Sequence, residues 1–559
     1  MNAKVNNVPD QTLPGQNHAV FNQPQPLENY NLYGADRALR DSVKLGGAAW
    51  AEPDLVDHGA WAGRSETIAL GFQANQSSPV LHTHDRFGHR RDTVDFHPAY
   101  HELMNRAVRG GMHSSPWTDP KPGAHVARAA KFFIQSQVEA AHCCPITMTF
   151  AAVPALLKQP SLAKQWLPGI TSREYDPRNI PSEQKSGLTI GMAMTEKQGG
   201  SDVRANTTIA QALGVGGPGE LYALTGHKWF MSAPMCDAFL VLAQAPAGLT
   251  CFLMPRWQPD GVKNPVHLQR LKNKMGNLAN ASSEVELDGA QAWMVGAEGR
   301  GVSTIIEMVA VTRFDCMIGS AGGMRQATAQ ALHHCNQRKA FGALLIDQPL
   351  MQNVLADLAL ESEAATALTM RIARALDHPG SREEKLLLRL ATAVGKYWIC
   401  KRTPNHAYEA MECLGGNGLM EDCIMPRLFR ESPVNSIWEG SGNVQCLDVL
   451  RALKKEPESL EVFFSELALA KGADARFDRF VTTLEHEFSG SGAKEAQARN
   501  LVDRMALALQ GSLLLRNSPP AIADAFCAGR LAASGGLNTG NLPAGTDFRS
   551  IIQRALPEG

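Results

Sequence analysis

The chain has 559 residues, 44% hydrophobic and 19% charged, an ordinary globular composition long enough for more than one domain. Its 54 basic and 55 acidic side chains leave a formal charge of -1, which excludes an overall field drawing it to nucleic acid or membrane, so any such partner must meet a local patch. Eleven scattered cysteines without a CxxC pair point to reduced thiols and no metal site, and the lack of an apolar leader or a membrane-length apolar run predicts a cytoplasmic protein with no membrane partner.

Residues 1–35, rich in Asn, Gln and Pro, read as an extended arm or interaction tail. From 36 to 185 the apolar spacing is helical, as in Ala127 to Ala141, and predicts an all-helical opening domain. Over 186–295, short apolar or alternating runs between turn residues predict a β domain: Leu188–Met194, Phe239–Ala243, Leu249–Met254 and Glu284–Leu287. Helical periodicity returns over 296–452, with Gln352–Leu376 closed by Asp377-His378-Pro379-Gly380 and Lys385–Leu414 closed by Gly415-Gly416. Lys454-Lys455-Glu456-Pro457-Glu458 reads as a joint to a last helical domain, 453–559, with a Gly-rich, loosely patterned end.

Several stretches are candidates for chemistry. Gly214-Val215-Gly216-Gly217-Pro218-Gly219 matches GxGxxG, but Pro218 and the strand-like Leu221–Leu224 deny it a helix N-terminus, so it reads as a solvent-exposed hairpin loop. Met194 to Val203 follows a strand and gathers two hydroxyls, Thr195 and Ser201, with Gly199-Gly200; it is either a ligand-facing loop or a tight inter-strand turn. Gly226-His227-Lys228-Trp229-Phe230-Met231-Ser232 opens a second strand, offering either an aromatic ligand surface or two ordinary alternating faces. Arg338-Lys339-Ala340-Phe341-Gly342 ends a helix with a cation and an aromatic, suited to phosphate or simply to the helix C-terminus. In Ser436-Ile437-Trp438-Glu439-Gly440-Ser441-Gly442-Asn443, Trp438 withdraws water from Glu439 and favours its use as a base, while the glycines allow close approach of a flat ligand. The same stretch also reads as a helix cap, with Ser441 or Asn443 ahead of the apolar run Val444–Leu450.

Taken together and in order, these motifs and Leu414-Gly415-Gly416-Asn417-Gly418 resemble the acyl-CoA dehydrogenase family of flavoproteins over about residues 40–452. The resemblance implies a mainly α fold with a central β-barrel-like domain: a helical N-terminal domain, a β domain and a helical bundle, here with an extra C-terminal helical domain. It implies FAD as cofactor, a homotetramer, and Glu439 as the base that removes a proton α to a thioester carbonyl. Met194, Thr195, Ser201, Phe230, Met231 and Ser232 would line the flavin and ribityl part, with Ile437 and Trp438 also in contact, and Ser441 and Asn443 would lie near the adenosine diphosphate. Arg338, Phe341 and the Glu412 to Gly416 element would reach the cofactor of a neighbouring subunit. Glu412 in place of the usual Gln, and Lys197-Gln198 in place of Pro-Gly, depart from the family pattern.

Within the family the whole chain is similar to the flavoproteins of the adaptive response to DNA alkylation. The residues that carry this likeness include Val20 to Pro24, Asn31 to Tyr33, Cys144 to Ala152, Thr312-Arg313-Phe314-Asp315-Cys316 and Pro433 to Glu439. It implies weak dehydrogenase activity on a small, isovaleryl-CoA-like acyl-CoA, and binding of double-stranded DNA through the last domain. Residues 453–559 hold 12 Lys plus Arg against 13 Asp plus Glu, so composition lends this no support. A basic stripe of Arg476, Arg479, Arg499 and Arg504 is the candidate, unless adjacent acids pair with them. The alternative is a metabolic acyl-CoA dehydrogenase that passes electrons to an electron-transfer flavoprotein.

Overall fold

The computed structural model describes residues 17–489, 495–532 and 538–557. Stretches of helical apolar spacing become three long helices, Gly301–Cys335, Pro349–Leu376 and Arg382–Glu412, the last of which runs through Pro404. The first is apolar on every side, the pattern of a helix at the centre of a fold, and it packs against both neighbours and against Ala124–Val138 and Cys143–Leu156. Close approach fixes Gly322: a Cβ there would meet Ser136 Oγ at 2.7 Å and the Phe133 carbonyl at 2.8 Å. All fifteen residues of Ala124–Val138 are buried. Its Arg128 pairs through both terminal nitrogens with the Asp315 carboxylate on the long helix, and Thr147 donates to the same carboxylate at 2.5 Å. A buried pair of this kind adds little net stability, but losing one partner strands the other charge.

The region before the sheet is not wholly helical. Val80–His84 and Arg90–Asp95 form an antiparallel hairpin whose turn is held by Asp85, which accepts from the Phe87 and His89 amides at 2.8 and 2.9 Å. The hairpin docks through Asp92 on the Leu268 amide (3.0 Å), so it belongs with a strand its own sequence cannot announce. Residues 1–16 of the arm lie outside the described residues. From His18 to Ala35 the arm lies on its own chain, with Leu27, Leu32 and Tyr33 buried.

Seven strands make the sheet, and the pairings of Ala238–Ala245, Ile209–Ala212, Leu221–Ser232, Ser282–Val295 and Gly248–Pro255 close into a ring. Ile190–Ala193 and Val266–Leu271 flank it. The stretch after Gly226 does not open a second strand: Leu221–Ser232 is continuous, with register shifts at Leu224/Thr225 and Lys228/Met231 that the local alternation cannot reveal. The GxGxxG segment is the hairpin loop between Ile209–Ala212 and Leu221–Ser232, and its Val215 is exposed.

After Gly442–Lys455 the chain adds helices Glu458–Ala468, Ala475–Ser489, Ala498–Asn517, Pro520–Phe526 and Phe548–Ala555. They share cores with the central bundle, since Phe463, Phe477 and Leu509 join Leu390 and Val394 in one cluster. Residues 533–537 of the Gly-rich end lie outside the described residues; beyond them Ile551 and Ile552 are buried, and the Ala555 carbonyl accepts from Arg325 at 2.6 Å. Among the described residues no helix is long and apolar enough to cross a membrane, and no cluster of His, Cys, Asp and Glu has the makings of a metal site.

Candidate functional site

Glu439 lies in the break between the short helix Val434–Ile437 and Gly442–Lys455, in the left-handed region at φ 56°. That conformation is costly for a residue with a Cβ and persists only where the surroundings hold it. Three side chains do so. Lys396, 1% exposed in the middle of Arg382–Glu412, donates to the carbonyls of Trp438 (2.7 Å) and Gly440 (2.5 Å). Gln445 donates to the carbonyls of Glu439 and Gly440, at 3.1 and 2.9 Å. Arg313 Nε donates to the Glu439 carbonyl (2.9 Å) and is itself held by Asp448 (2.7 Å), which Arg389 also engages. A Cβ on Gly440, at φ 96°, would come within 2.7 Å of Gln445, so this glycine is required by space as well as by torsion.

The Glu439 side chain is half-buried, and its Oε2 accepts from the Thr312 hydroxyl at 2.8 Å. That is the carboxylate's one hydrogen bond among the described residues, so Oε1 is left for a substrate. Trp438 packs on the sheet's core cluster, whose members include Cys144, Met148 and Met231. Its Nε1 donates to Asn435 (2.9 Å), whose amide donates to Ser320 (3.1 Å). Facing the same thiol is Lys274, which donates to the Asn280 carbonyl (2.5 Å) and to Ser282 Oγ (3.0 Å), and Ser282 is hydrogen-bonded to Ser232 (2.9 Å). Burial pushes the Cys144 thiol up to about 12, with Lys274 pulling it down and Glu439 pushing it up. The Cys144 thiol thus feels both the Lys274 ammonium, which is tied through Ser282 to Ser232, and the Glu439 carboxylate.

The loop after Met194 is pinned from below. Glu196 is fully buried and accepts from Lys228 Nζ (2.7 Å) and from the amides and hydroxyls of Thr207 and Thr208. Burial opposes this charge, but the ammonium and the hydrogen bonds outweigh it and hold the carboxyl far below its usual range. Above that anchor, the Thr195 carbonyl accepts from the Trp229 amide (2.9 Å), tying loop to strand. Met194 and Thr195 are half-buried, while Ser201 and Phe230 are exposed. Lys272 sits 3.0 Å from the centre of the Trp229 ring. Met231 stands apart from Phe230 and Ser232: its side chain is fully buried in the sheet's core, on the opposite face of the strand.

Arg338, Phe341 and Gly416 lie with the arm of their own chain, whereas Ile437, Ser441 and Asn443 flank the Glu439 turn. Arg338 donates to the Asn22 carbonyl, Asn22 exchanges two hydrogen bonds with the Lys339 backbone (2.9 and 2.8 Å), and Asn417, beside Gly416, donates to Gln23 (3.1 Å). These elements gather around the arm, where Phe341 is completely exposed at φ 51°. Ile437 is exposed as well. Ser441 occupies the N-cap of Gly442–Lys455 yet makes no side-chain capping bond, and Asn443 Oδ1 accepts from Arg499 (2.8 Å). The expected basic stripe is largely engaged internally. Arg476 is held by Asp474 (2.5 Å) and Asp524 (2.6 Å), Arg504 pairs with Glu487, and Arg479 stays exposed.

This donor set fits a flavin nucleotide. Phe230 offers an exposed aromatic surface, Thr195, Ser201 and Ser232 offer hydroxyls from the loop and strand, Ser441 has a hydroxyl at a helix N-terminus with no hydrogen bond among the described residues, and a Cβ at Gly199, Gly415 or Gly416 would meet open space. Sequence reasoning missed Lys396, Gln445 and Asp448, which shape the turn. A lone lysine inside the apolar run Leu390–Cys400 was the signal available for the first.

Three family models match successive parts of the chain: the adaptive response protein AidB N-terminal domain over residues 22–177, the acyl-CoA dehydrogenase middle domain over 191–290 and the acyl-CoA dehydrogenase C-terminal domain over 299–454. The chain is 46% identical to the AidB protein of Escherichia coli (strain K12), covering 93% of this chain and 96% of that one. Caenorhabditis elegans ACDH-11, solved in complex with C11-CoA, has a TM-score of 0.81 at 27% identity, covering 98% of this chain and 95% of that one. An acyl-CoA dehydrogenase of Bacillus anthracis complexed with FAD shares the fold, with a TM-score of 0.62 at 19% identity over 77% of this chain and 80% of that one. Three successive domain matches and near-complete coverage of a relative at 46% identity agree, and the chain belongs to the acyl-CoA dehydrogenase family, in its AidB branch.

Proposed function

We propose that this protein is an FAD-dependent oxidoreductase of small acyl-CoA thioesters, with Glu439 as its base. The observation that carries the reading is the Glu439 turn, a carboxylate fixed in an unfavourable backbone conformation by Lys396, Gln445 and Arg313 and oriented by Thr312. In this account Thr195, Ser201, Phe230, Ser232 and Ser441 hold the cofactor, and Glu439 takes the proton from the carbon α to the thioester carbonyl. The flavin, when bound, supplies the acceptor for the electron pair that leaves with the β hydrogen as the α–β bond becomes double. Trp438, locked by Asn435 and the sheet's core, limits room for the acyl chain, which favours a short branched thioester.

Anaerobic addition of isovaleryl-CoA tests this. The flavin absorbance of the wild type should bleach, slowly for a weak dehydrogenase, and Glu439→Gln should retain the flavin without bleaching. Equal bleaching of both would remove Glu439 from the mechanism.

A role in the response to DNA alkylation, with binding of duplex DNA, is the second part of the proposal. It is supported by the match to the adaptive response protein domain and by the closeness to AidB. Exposed Arg479 is its best anchor, because Arg476 and Arg504 are already paired. Truncating the last helices is a poor test, since they share the bundle's core. Duplex binding at two salt concentrations, in wild type and Arg479→Glu, reads the proposal instead: a salt-dependent affinity weakened by the charge reversal supports it, and absence of binding at low salt removes it.

A further inference from the structure

A cavity of about 360 Å3 lies between helix Arg37–Leu45, helix Pro349–Leu376 and the end of Ala498–Asn517, sharing no lining residue with the Glu439 turn. Small-molecule sites span about 300–1,000 Å3. Its apolar lining comes chiefly from Leu45, Ala367, Met370 and Leu513, and its charged lining is rich in cations.

The acids of the cavity are spoken for. Arg554 binds both Glu363 (2.8 Å) and Asp41 (2.7 Å). Arg371 binds Glu384 (2.8 Å) and Glu466 (2.9 Å), and Glu466 also takes Arg516 (2.6 Å). Arg374, one helical turn beyond Arg371, is half-buried in the cavity wall, and among the described residues no hydrogen bond or ion pair engages its guanidinium. Exposed Lys44 on the rim has none either. Burial and then the neighbouring Arg371 charge press the Arg374 pKa down, while the Glu466 and Glu384 carboxylates act against them from a distance. Both of those carboxylates are hydrogen-bonded to Arg371, so the half-buried Arg374 guanidinium keeps its donors free for an anion in the cavity.

We propose that this cavity binds a small organic carboxylate, its head on Arg374 and Lys44 and its aliphatic body against Leu45, Ala367, Met370 and Leu513. Inorganic phosphate meets the cations but leaves the apolar wall wet, and an alcohol does the reverse, so three probes separate the components.

Calorimetric titration of the full-length holoprotein with octanoate, octanol and inorganic phosphate tests it. Octanoate should bind saturably, Arg374→Gln should weaken it by about tenfold or more, as loss of a charged hydrogen bond does, and Lys44→Met should weaken it by about threefold, as expected of an exposed pair. Glu439→Gln should leave the affinity unchanged, which places the ligand outside the acyl site. The proposal is overturned if octanoate does not bind, if octanol or phosphate binds as tightly, or if both cavity substitutions are silent. Circular dichroism checks that Arg374→Gln folds; should it not, the exposed Lys44→Met decides alone, weaker octanoate binding supporting the proposal and unchanged binding overturning it.

Discussion

Thr312 and Glu439 are 127 residues apart and meet through one hydrogen bond of 2.8 Å. Because it engages only Oε2, the hydroxyl aims the carboxylate without occupying it. Thr312→Val keeps the shape and removes the donor, so the rate of flavin bleaching should fall by about tenfold with little change in substrate affinity, the cost of one charged hydrogen bond. A larger loss of affinity than of rate would mean that Thr312 serves binding. Glu196 presents the opposite situation, a carboxylate fully committed to structure. Lys228→Met strands it without its cation and should cost about 3–5 kcal/mol in urea unfolding. Lys274 adds a pH signature, since burial lowers its ammonium from 10.5 to about 8. A cation with a depressed folded pKa sheds its proton before the unfolded chain does, so its contribution to stability is least below about pH 8 and rises toward about pH 10.5. Melting temperature should climb more steeply over that window in wild type than in Lys274→Met.

At the scale of elements, the turn 438–440 depends on side chains from three helices. Lys396→Met would leave the Trp438 carbonyl without its side-chain donor and the Gly440 carbonyl with Gln445 alone, loosening the constraint on φ of Glu439, and a destabilisation of about 1–3 kcal/mol is expected, seen as earlier unfolding with loss of bound flavin. Glu439, Ser441 and the loop after Met194 stood out in the sequence because glycines and hydroxyls cluster there, and the cap reading of the Ser441 segment meets its expected position without the capping bond from the hydroxyl. The hairpin Val80–Asp95 was not legible, because its support comes from Leu268, far along the chain. The bulges in Leu221–Ser232 were hidden for a similar reason. They are set by the partner strand Ser282–Val295, and they decide that Met231 faces the core while Phe230 does not.

Across the whole molecule, the C-terminal helices are stitched to the bundle by ion pairs such as Arg371 with Glu466 and Arg530 with Asp357 and Glu361. These pairs consume arginines that composition alone leaves available for DNA. Two large apolar side chains stand open, Phe341 at 100% and Leu350 at 86% exposure. We propose that assembly with other copies of the chain covers Phe341. Phe341→Asp should shift sedimentation toward smaller species and weaken flavin retention together. The central claim, that Glu439 is the base, is tested most directly by exchange of α hydrogens of isovaleryl-CoA in heavy water under anaerobic conditions, followed by mass spectrometry. The wild-type holoprotein should incorporate deuterium and Glu439→Gln should not, whereas incorporation at the same rate by the substituted protein would contradict the account.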